Sequence, residues 1–421
     1  MDVAANGLPA HADVVVVGAG LAGLAATLHL QRQGYDVVVL EAGDAPGGRI
    51  RTDVVDGFRL DRGFQLFNPS YPEALRMFDY PALDLKGFER GALVSTAAGR
   101  IRLADPRAHP GWVVDALRAN LGGPIGLLRF AKYAAECGVT DPARLADRPD
   151  VPIADALAEA GIPQRLQDVL IRPFLSGVFL EPDLATSRRF ADLILRSFVR
   201  GTPAVPAMGM ASLPNQLADS VSRLFTGTRV TRVGSGSVDT EHGSVRAGAI
   251  VIAVGPAQVA SLLPGFTAPK THACTTWYHC PDQPPGELSG GWPILTLDGD
   301  ATGPVVNTAV MSHAAPSYSP PGKSLVASTA LGMRGDVDEG VVRSQLGRMY
   351  GLDTSRWTPV AVYEVADALP DMSPPRRLRQ PVTLNDGLFI AGDHRDTASI
   401  QGALVSGRRA ARAVHAALVR S

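Results

Sequence analysis

Residues 13–23 read Asp-Val-Val-Val-Val-Gly-Ala-Gly-Leu-Ala-Gly. The four consecutive valines at positions 14–17 are apolar and β-branched, which suits a strand buried on both faces of a parallel sheet. Three glycines follow at once. Gly18 permits a tight turn, Gly20 lets a pyrophosphate approach the backbone, and Gly23 lets a helix pack closely against the strand. The stretch therefore predicts the dinucleotide-binding turn of a βαβ unit.

A helix is predicted from about Leu21 to Gln33, directly after the glycines. Its first amides, at Leu21 and Ala22, and the positive end of its dipole point at the predicted pyrophosphate. Gly34 ends this helix, and residues 35–40 form the second strand. Glu41 follows at the spacing where a carboxylate accepts hydrogen bonds from a ribose. A carboxylate there repels a 2′-phosphate, which disfavours NADP, whereas NAD and FAD both fit the pattern up to this residue.

The residues after Glu41 separate FAD from NAD. They read Ala42-Gly43-Asp44-Ala45-Pro46-Gly47-Gly48-Arg49, which resembles the extended signature of the FAD-dependent amine oxidase and phytoene desaturase superfamily. The resemblance implies FAD, with Ala42 and Gly48 in the cofactor site and Arg49 near the pyrophosphate or the flavin. A guanidinium fixed beside glycines that permit close approach suits this role.

Composition excludes several other classes of function. The chain has 421 residues, 45% of them hydrophobic, and a formal net charge of −1, which allows two domains and gives no basic surface for nucleic acid. Its three cysteines, Cys137, Cys274 and Cys280, are scattered and predict neither a disulfide framework nor a metal site. Residues 1–12 lack the features of a signal peptide, and no apolar run is long enough to span a bilayer. We therefore expect a cytoplasmic protein.

Residues 52–67 extend the resemblance. Asp56-Gly57 between β-rich runs predicts a hairpin, and Asp61-Arg62-Gly63 matches the Asp-x-Gly that ends this hairpin beside the flavin ring in the superfamily. Gly63 would let the backbone approach a flat cofactor. Phe64 and Gln65 are predicted to line the site on the substrate side, and Gln65 is one of two candidates for a catalytic role.

The middle of the chain predicts a mostly helical layer. Helical runs cover residues 71–83, 111–138 and 152–198, with prolines at several of their ends. Their Leu, Phe and Val side chains either line a tunnel for an apolar substrate or form ordinary core, and the sequence leaves both interpretations open. The apolar helices around Trp112 to Tyr133 offer either a peripheral membrane contact or packing within the protein.

A second cofactor segment follows the helical layer. A helix predicted over Asn215 to Leu224 precedes a strand at Val230 and an apolar strand that ends in Ala253-Val254-Gly255-Pro256. This order resembles the superfamily. There, the backbone near Val230 would contact the adenine, and the strand end with Gly255 would pass near the cofactor.

The segment before the C-terminal motif predicts a half-buried sheet, because Trp277, Tyr278 and Trp292 stand among alternating apolar residues. In the superfamily this sheet floors the substrate cavity, and amine oxidases commonly place there a lysine that holds a water near flavin N5. Neither Lys270, which precedes the first predicted strand, nor Lys323, in a Pro-Gly turn, matches that lysine. The departure argues against amine oxidase chemistry.

The C-terminal segment resembles the closing FAD motif of the superfamily. A strand ends in Gly392-Asp393, and a helix begins at Ile400-Gln401-Gly402-Ala403. The resemblance implies that Asp393 bonds the ribityl chain or bridges to the pyrophosphate. The helix start, with Ile400, Gln401 and Ala403, would face flavin N1 and C2=O, where amides and the helix dipole stabilise the negative charge that collects on reduction. His394 is the second catalytic candidate, as a base or proton relay, or else an ordinary loop histidine.

Two details of this ending separate the branches of the superfamily. Ser399 stands about where amine oxidases place an aromatic residue that forms one wall of a cage, so the ending resembles the desaturase form. No cysteine lies near this motif, which predicts a non-covalently bound FAD.

We therefore predict an α/β protein with a Rossmann-like, discontinuous FAD-binding domain over residues 1–71, 201–264 and 370–421. Residues 72–200 and 265–369 would form a mixed α+β substrate domain. The predicted activity is hydride transfer from a C–H or C–N bond to flavin N5, with desaturation of an apolar, isoprenoid-like small molecule as the first choice and amine or amino-acid oxidation as the second. No second Gly-x-Gly-x-x-Gly is present, so oxygen or a quinone is the expected electron acceptor. A non-redox flavin isomerase and a protein that keeps FAD only as structure remain alternatives.

Overall fold

A computed structural model of the protein describes residues 7–104, 109–119, 121–385 and 387–420. Residues 1–6 lie outside the described residues, and they make up half of the stretch 1–12 in which no signal peptide is predicted. The strands are β1 His11–Val17, β2 Val37–Leu40, β3 Thr52–Val55, β4 Phe58–Asp61, β5 Leu85–Gly87, β6 Gly91–Thr96, β7 Gly99–Ala104, β8 Ala204–Pro206, β9 Leu224–Phe225, β10 Val230–Gly234, β11 Ser237–Thr240, β12 Gly243–Ile252, β13 Thr271–Cys280, β14 Leu295–Asp298, β15 Val305–Val310, β16 Val326–Leu331, β17 Thr358–Pro370, β18 Thr383–Asn385 and β19 Leu388–Ile390.

The helices alternate with these strands in the first third and last third of the chain and dominate the middle. They are α1 Leu21–Gln31, α2 Ala74–Met77, α3 Tyr80–Leu83, α4 Trp112–Arg118, α5 Gly123–Val139, α6 Pro142–Ala146, α7 Ile153–Glu159, α8 Gln164–Leu166, α9 Arg172–Phe179, α10 Arg188–Arg200, α11 Ser212–Ala218, α12 Pro256–Leu262, α13 Pro285–Leu288, α14 Met311–Ala314, α15 Glu339–Tyr350 and α16 Ile400–Leu418. A π-helical turn, Gln167–Ile171, joins α8 to α9, and short 3₁₀ turns lie at Pro316–Tyr318 and Asp393–Arg395.

The first sheet is built around β1, as the valine run predicts. Strand β1 lies between β2 and β12, parallel to both, with Val15 opposite Val38 on one side and Ile250 on the other. Six of its eight strands follow the order β10-β11-β12-β1-β2-β9, while β19 runs parallel to the last residues of β12 and pairs with β18. All four valines of β1 are buried, because α1 and α16 cover one face of the sheet and a second apolar cluster covers the other.

The second sheet has the order β17-β13-β16-β15-β14-β6-β7 and is antiparallel except for the pair β14 and β6. Helix α15 packs on one face of this sheet, where its side chains share a core with Trp277 and Val305. Helix α9 packs on the opposite face and belongs to the helical layer formed by α5 to α10. The sheet is therefore enclosed on both sides.

Two of the predicted helices differ from those in the structure. The helix predicted over residues 71–83 is two short helices, because Asp79 leaves the helical conformation and its carboxylate caps α3 by accepting a hydrogen bond from the Ala82 amide at 3.3 Å. The helix predicted over Asn215 to Leu224 ends at Ala218 instead. Leu224 belongs to β9, which pairs with the end of β2 and so extends the first sheet.

The prediction of a half-buried sheet around Trp277 and Tyr278 is wrong. Both side chains are buried although they point to opposite faces, because β13 lies inside the sheet between β16 and β17 and both faces are covered. Trp292 lies outside the strands and is 39% exposed. It packs edge-on against Trp112 of α4 instead.

Each of the two large sheets takes its strands from one of the two sets of residue ranges that the sequence analysis assigns to two domains. The first sheet draws its strands from residues 11–40, 224–252 and 383–390, and the second from 91–104 and 271–370. A small two-stranded sheet, β5 with β8, joins the residues on either side of the helical layer. The exact domain boundaries stay a prediction.

Candidate cofactor and substrate site

The glycine turn after β1 is packed so tightly that two of its positions accept only glycine. Gly18 has φ +102°, and a Cβ there would lie 2.8 Å from the carbonyl oxygen of Ala253. A Cβ on Gly23 would lie 2.0 Å from the carbonyl oxygen of Gly18. The turn is thereby held between α1 and the end of β12.

Gly20 serves a different purpose, since a Cβ at this position would meet no atom within 4 Å. The hollow beside Gly20 lies at the N-terminus of α1. The amide of Leu24 bonds the carbonyl of Gly20 at 2.9 Å, while those of Leu21 and Ala22 have no acceptor in the part of the chain that the structure describes. Gly48 lies beside this hollow, because a Cβ on Gly48 would lie 3.6 Å from the Cα of Gly20. Free amides, a helix dipole and a hollow make a fitting cradle for a pyrophosphate.

Glu41 stands at the carboxyl end of β2, and its side chain is fixed by two backbone amides. One carboxylate oxygen accepts from Ala19 and the other from Gly43, both at 2.7 Å. Each oxygen keeps a free lone pair, so both can still accept from the hydroxyls of a ribose. The carbonyl of Glu41 accepts from the amide of Thr228 at 2.7 Å, which brings the start of β10, at Val230, to the same end of the site.

Arg49 connects the first and last cofactor segments. Its guanidinium donates to the Asp393 carboxylate at 2.6 Å and to the Ala368 carbonyl at 2.8 Å. Burial acts to lower the pKa of Arg49, but the adjacent Asp393 carboxylate outweighs it and the net shift of the pKa is upward. The Gln65 amide donates to the carbonyl of Arg49 at 3.0 Å. This chain of contacts places the predicted flavin-side residues Gln65, Arg49 and Asp393 together.

The end of the β3–β4 hairpin contacts the second sheet. Gly63 has φ +91°, and a Cβ on this residue would lie 3.9 Å from the sulfur of Cys274 on β13. The next residue, Phe64, donates its amide hydrogen to the Thr276 hydroxyl at 3.1 Å. Burial raises the pKa of the Cys274 thiol to about 11, so this cysteine is a neutral thiol and a poor nucleophile. It does not contradict a non-covalent FAD, which remains a prediction.

The start of α16 is capped by Ser399, the residue that replaces the aromatic of the amine oxidase pattern. Its hydroxyl accepts from the Gly402 amide at 3.1 Å, and its carbonyl accepts from the Ala403 amide at 2.9 Å. The amides of Ile400 and Gln401 have no acceptor within the described ranges of the chain. The α16 N-terminus therefore presents two amides for a ligand, next to Asp393.

His394 is buried beside Asp393, and its ring packs edge-on against Phe266 with 6.4 Å between the ring centroids. Burial lowers the pKa of His394 to about 4, so the imidazole is neutral at physiological pH. Its Nε2 atom has no partner among the described residues. A catalytic role for either His394 or Gln65 stays a prediction.

Asp61 bonds several separate parts of the chain, a role that its place in the Asp-x-Gly pattern does not predict. Its buried carboxylate accepts from the Thr52 hydroxyl at 2.5 Å, the Met210 amide at 2.9 Å and the Tyr318 hydroxyl at 2.9 Å. The Tyr278 hydroxyl donates to its carbonyl at 2.8 Å. Four parts of the chain thus meet at Asp61, directly behind the hairpin end.

A row of paired residues crosses the second sheet from the hairpin toward the helical layer. Directly opposite residues of neighbouring antiparallel strands point to the same face, and the pairs in this row are Tyr363 with Thr276, Thr276 with Thr329, Thr329 with Asn307, and Asn307 with Leu297. The sequence does not predict that these residues are neighbours, because only the register of five strands brings them together. The polar residues inside otherwise apolar strands were the available signal.

The predicted cofactor residues therefore converge on one site. Gly18, Gly20, Gly23 and Gly48 form the turn, Glu41 and Val230 mark one end of it, and Gly63, Phe64, Gln65, Arg49, Asp393, Ile400, Gln401 and Ala403 mark the other. Gly255, at the N-terminus of α12, is two residues from the Ala253 carbonyl that contacts Gly18. Ala42 is exposed beside Glu41. The assignment of each residue to the cofactor stays a proposal, but the hollow, the free amides and the carboxylate fit a dinucleotide.

The fold and this site define an FAD-dependent oxidoreductase. The family model for flavin containing amine oxidoreductase matches residues 21–415, and the chain belongs to this family.

Relatives within the family differ in what they act on. Phytoene dehydrogenase of Streptomyces griseus is 31% identical over 255 residues, which cover 52% of this chain and 48% of the relative. Hydroxysqualene dehydroxylase of Rhodopseudomonas palustris is 28% identical over 96% of this chain and 98% of the relative. Putrescine oxidase of Kocuria rosea is 46% identical over only 78 residues, 16% of its own length. The chain thus spans about half of phytoene dehydrogenase.

Solved structures share the whole fold. A putrescine oxidase with bound putrescine has a TM-score of 0.67 at 19% identity, covering 96% of this chain and 99% of the other. An oxidoreductase from Methanosarcina mazei has a TM-score of 0.71 at 16% identity, covering 94% and 99%. At such identities the likeness concerns the fold. Among the described residues, no helix is both long and apolar enough to cross a membrane.

Proposed function

We propose that this protein desaturates an apolar, isoprenoid-like small molecule, with oxygen or a quinone as electron acceptor. The observation that carries the proposal is the row of neutral side chains, Thr276, Thr329 and Asn307, which leads from the flavin-side residue Phe64 to an apolar helical layer. The full-length likeness to hydroxysqualene dehydroxylase and the partial likeness to phytoene dehydrogenase support it.

FAD supplies two-electron redox chemistry when it is bound. In a desaturation the substrate loses a hydride from one carbon and a proton from its neighbour, and the electron pair passes on to the acceptor. The chain's own contribution is to position the substrate and to exclude water. The free amides of Ile400 and Gln401, at the start of α16 next to Asp393, would stabilise the negative charge that the flavin gains on reduction.

Amine or amino-acid oxidation is the second candidate, favoured by the short match to putrescine oxidase. The positions of the lysines oppose it. Lys270 precedes β13, and Lys323 lies at a turn, with its ammonium 5.7 Å from the centre of the Phe58 ring. Neither lysine lies in the row of side chains that crosses the sheet.

Anaerobic titration of the FAD-loaded protein tests the choice of substrate. We expect polyenes such as squalene and phytoene to bleach the visible flavin bands, and putrescine and other amines to leave them unchanged. Free FAD with the same compounds is the control. Bleaching by amines alone would establish the second candidate. A flavin that light reduces but that no compound of either class bleaches would favour the isomerase or scaffold alternatives.

We also propose that α4 and α5 touch an anionic phospholipid bilayer, from which an apolar substrate would enter. Both helices expose large aliphatic side chains, with Val114 at 45%, Leu117 at 46%, Ile125 at 66% and Leu128 at 69% exposed. Four residues connect the two helices. Such a surface on a protein of ordinary composition marks an interaction site.

The charges beside these side chains suit anionic lipid headgroups. Arg118, Arg129 and Lys132 are exposed on the same two helices, and none of them forms an ion pair with a carboxylate of the described residues. Aliphatic side chains flanked by basic ones are typical of interfacial helices. A cavity of about 780 Å³ opens next to the end of α4, and Arg118, Leu121 and Arg165 are among the residues that line it.

A further inference from the structure

Two polar atoms on the face of the second sheet toward α9 have no partner among the described residues, although both are buried. They are Oδ1 of Asn307 on β15 and Oγ1 of Thr329 on β16. Each side chain belongs to a residue that is only 3% exposed. The two residues are directly opposite each other in the antiparallel pair, so their side chains point to the same face of the sheet.

The other face of the same strands shows that this is not a general feature of the sheet. Thr308 follows Asn307, and its hydroxyl lies 3.0 Å from both the Ser328 hydroxyl and the Tyr350 hydroxyl. It also donates to the Ala327 carbonyl at 2.8 Å. On β15 and β16, the hydroxyls of Thr308 and Ser328 on the face toward α15 are thus bonded, whereas the unpartnered atoms of these two strands lie on the face toward α9.

A buried polar atom without a partner destabilises a folded protein, and native proteins rarely keep one without a reason. Valine or leucine would fit these two positions at lower cost if packing were the only requirement. A group that bonds the pair in the working protein would explain why polar residues occupy these two positions.

The position of the pair, between the flavin-side hairpin and the apolar layer, is compatible with a group of the substrate. Thr276, the next residue in the row, bonds the amide of Phe64 at the hairpin end. On the other side the row continues to Leu297, which lies in the apolar core of the helical layer. Helix α9 covers Asn307 so closely that a Cβ on Gly177 would lie 1.9 Å from its Nδ2. The pair thus lies between the flavin side and the apolar layer, about one and two strand spacings, roughly 5 and 10 Å, from Thr276.

The chemistry of the pair selects a neutral group. An amide oxygen needs a donor, and a threonine hydroxyl can donate or accept. No carboxylate of the described residues bonds either side chain, whereas a buried ammonium would require a paired negative charge. We propose that Asn307 and Thr329 bind a hydroxyl group of an otherwise apolar substrate. This inference rests on the proposed isoprenoid-like substrate and narrows it to a prenyl alcohol.

Binding of two matched compounds to the FAD-loaded protein tests the inference. Farnesol is a prenyl alcohol and farnesene is its hydrocarbon counterpart, and each is titrated while the flavin absorption spectrum is recorded. We expect wild-type protein to bind farnesol at least about tenfold more tightly, because the hydrocarbon leaves both polar atoms unpartnered. Asn307→Leu and Thr329→Val should each reduce this preference, and the double variant should abolish it without weakening the binding of farnesene.

A matched control separates recognition from folding. Thr329→Val removes an unpartnered hydroxyl and should leave the melting temperature unchanged or higher. Thr308→Val removes a bonded hydroxyl on the opposite face and should lower the melting temperature while the preference for farnesol persists.

The outcomes distinguish this inference from the proposed function. Equal binding of the two compounds by wild-type protein would overturn the inference and leave the isoprenoid substrate standing. A preference for farnesol that survives in the double variant would also overturn it. Failure of both compounds to bind would refute the proposed substrate class itself, and the inference with it.

Discussion

Replacement of Asp61 by asparagine should change how the stability of this protein depends on pH. The carboxylate is buried where four parts of the chain meet, and burial raises the pKa of Asp61 from 3.8 to about 6 despite three hydrogen bonds that lower it. A carboxyl whose pKa is higher in the folded state stabilises the fold when protonated. That contribution is complete below the unfolded pKa and is lost as the pH rises through the folded one.

The size of the effect follows from these two pKa values. Between pH 7 and pH 5 the folded state takes up most of one proton at Asp61 and the unfolded state takes up almost none. Linkage then predicts that acidification stabilises the wild-type protein by about 1.4 kcal/mol through this residue. The asparagine side chain of the Asp61→Asn variant would keep an oxygen for the Thr52 hydroxyl and the Met210 amide, which both bond the same atom of Asp61. The variant should therefore fold and lack this pH-dependent contribution.

Urea unfolding of the apoprotein, followed by tryptophan fluorescence at pH 7 and pH 5, measures the contribution. The change in unfolding free energy between the two pH values should be about 1.4 kcal/mol more favourable in wild type than in Asp61→Asn. Asp219→Asn, which alters an exposed carboxylate, should behave as wild type does. An identical pH response in wild type and Asp61→Asn would refute the reasoning, as would a difference of the opposite sign.

Three further predictions concern the cofactor site and the proposed membrane contact. Gly20→Ala should weaken FAD binding about tenfold or more without changing the melting temperature of the apoprotein, because its Cβ enters the empty hollow. Gly23→Ala should lower both the FAD affinity and the melting temperature, because its Cβ meets the backbone. Calorimetric titration with FAD and thermal denaturation measure these effects. Arg49→Lys should reduce FAD affinity about tenfold in the same titration, since a lysine cannot bond two acceptors in a fixed plane. The double variant Ile125→Ser and Leu128→Ser should lose most binding to vesicles that contain anionic phospholipid in a sedimentation assay.

The controls for these predictions use residues of matched exposure. Leu75→Ser and Val54→Ser remove exposed aliphatic side chains far along the chain from α4 and α5 and should sediment with vesicles as wild type does. Equal binding of wild type to anionic and neutral vesicles would contradict the proposed role of the basic residues. Unaltered FAD affinity in Gly20→Ala would show that the pyrophosphate does not occupy the hollow.

The cofactor half of the site could be predicted from the sequence because its chemistry is local. The turn from Gly18 to Gly23 needs glycines at fixed spacing, since the backbone approaches within a distance that no side chain permits. Glu41 and Asp393 follow the strands that place them at one edge of the first sheet. Parallel strands deliver their carboxyl ends to the same edge, so the order of motifs along the chain already indicates the geometry.

The row of side chains that we propose to meet the substrate could not be predicted in the same way. Thr276, Thr329 and Asn307 lie on three strands, and their proximity depends on the register between strands that lie far apart in sequence. The burial of Trp277 and Tyr278 on opposite faces likewise depends on separate parts of the chain, because Trp277 shares a core with α15 whereas Tyr278 packs in the cluster that contains Leu60 and Tyr318. Such packing is a property of the assembled layers and leaves little trace in one strand's pattern.

The visible absorption spectrum of the reconstituted protein tests the central claim most directly. Apoprotein is mixed with excess FAD, separated from the free cofactor and measured beside Gly20→Ala treated in the same way. We predict two flavin bands, about one FAD per wild-type chain, and a clearly lower content in the variant. A colourless wild-type protein that retains no FAD would contradict the assignment of the site between Gly20, Glu41 and Asp393.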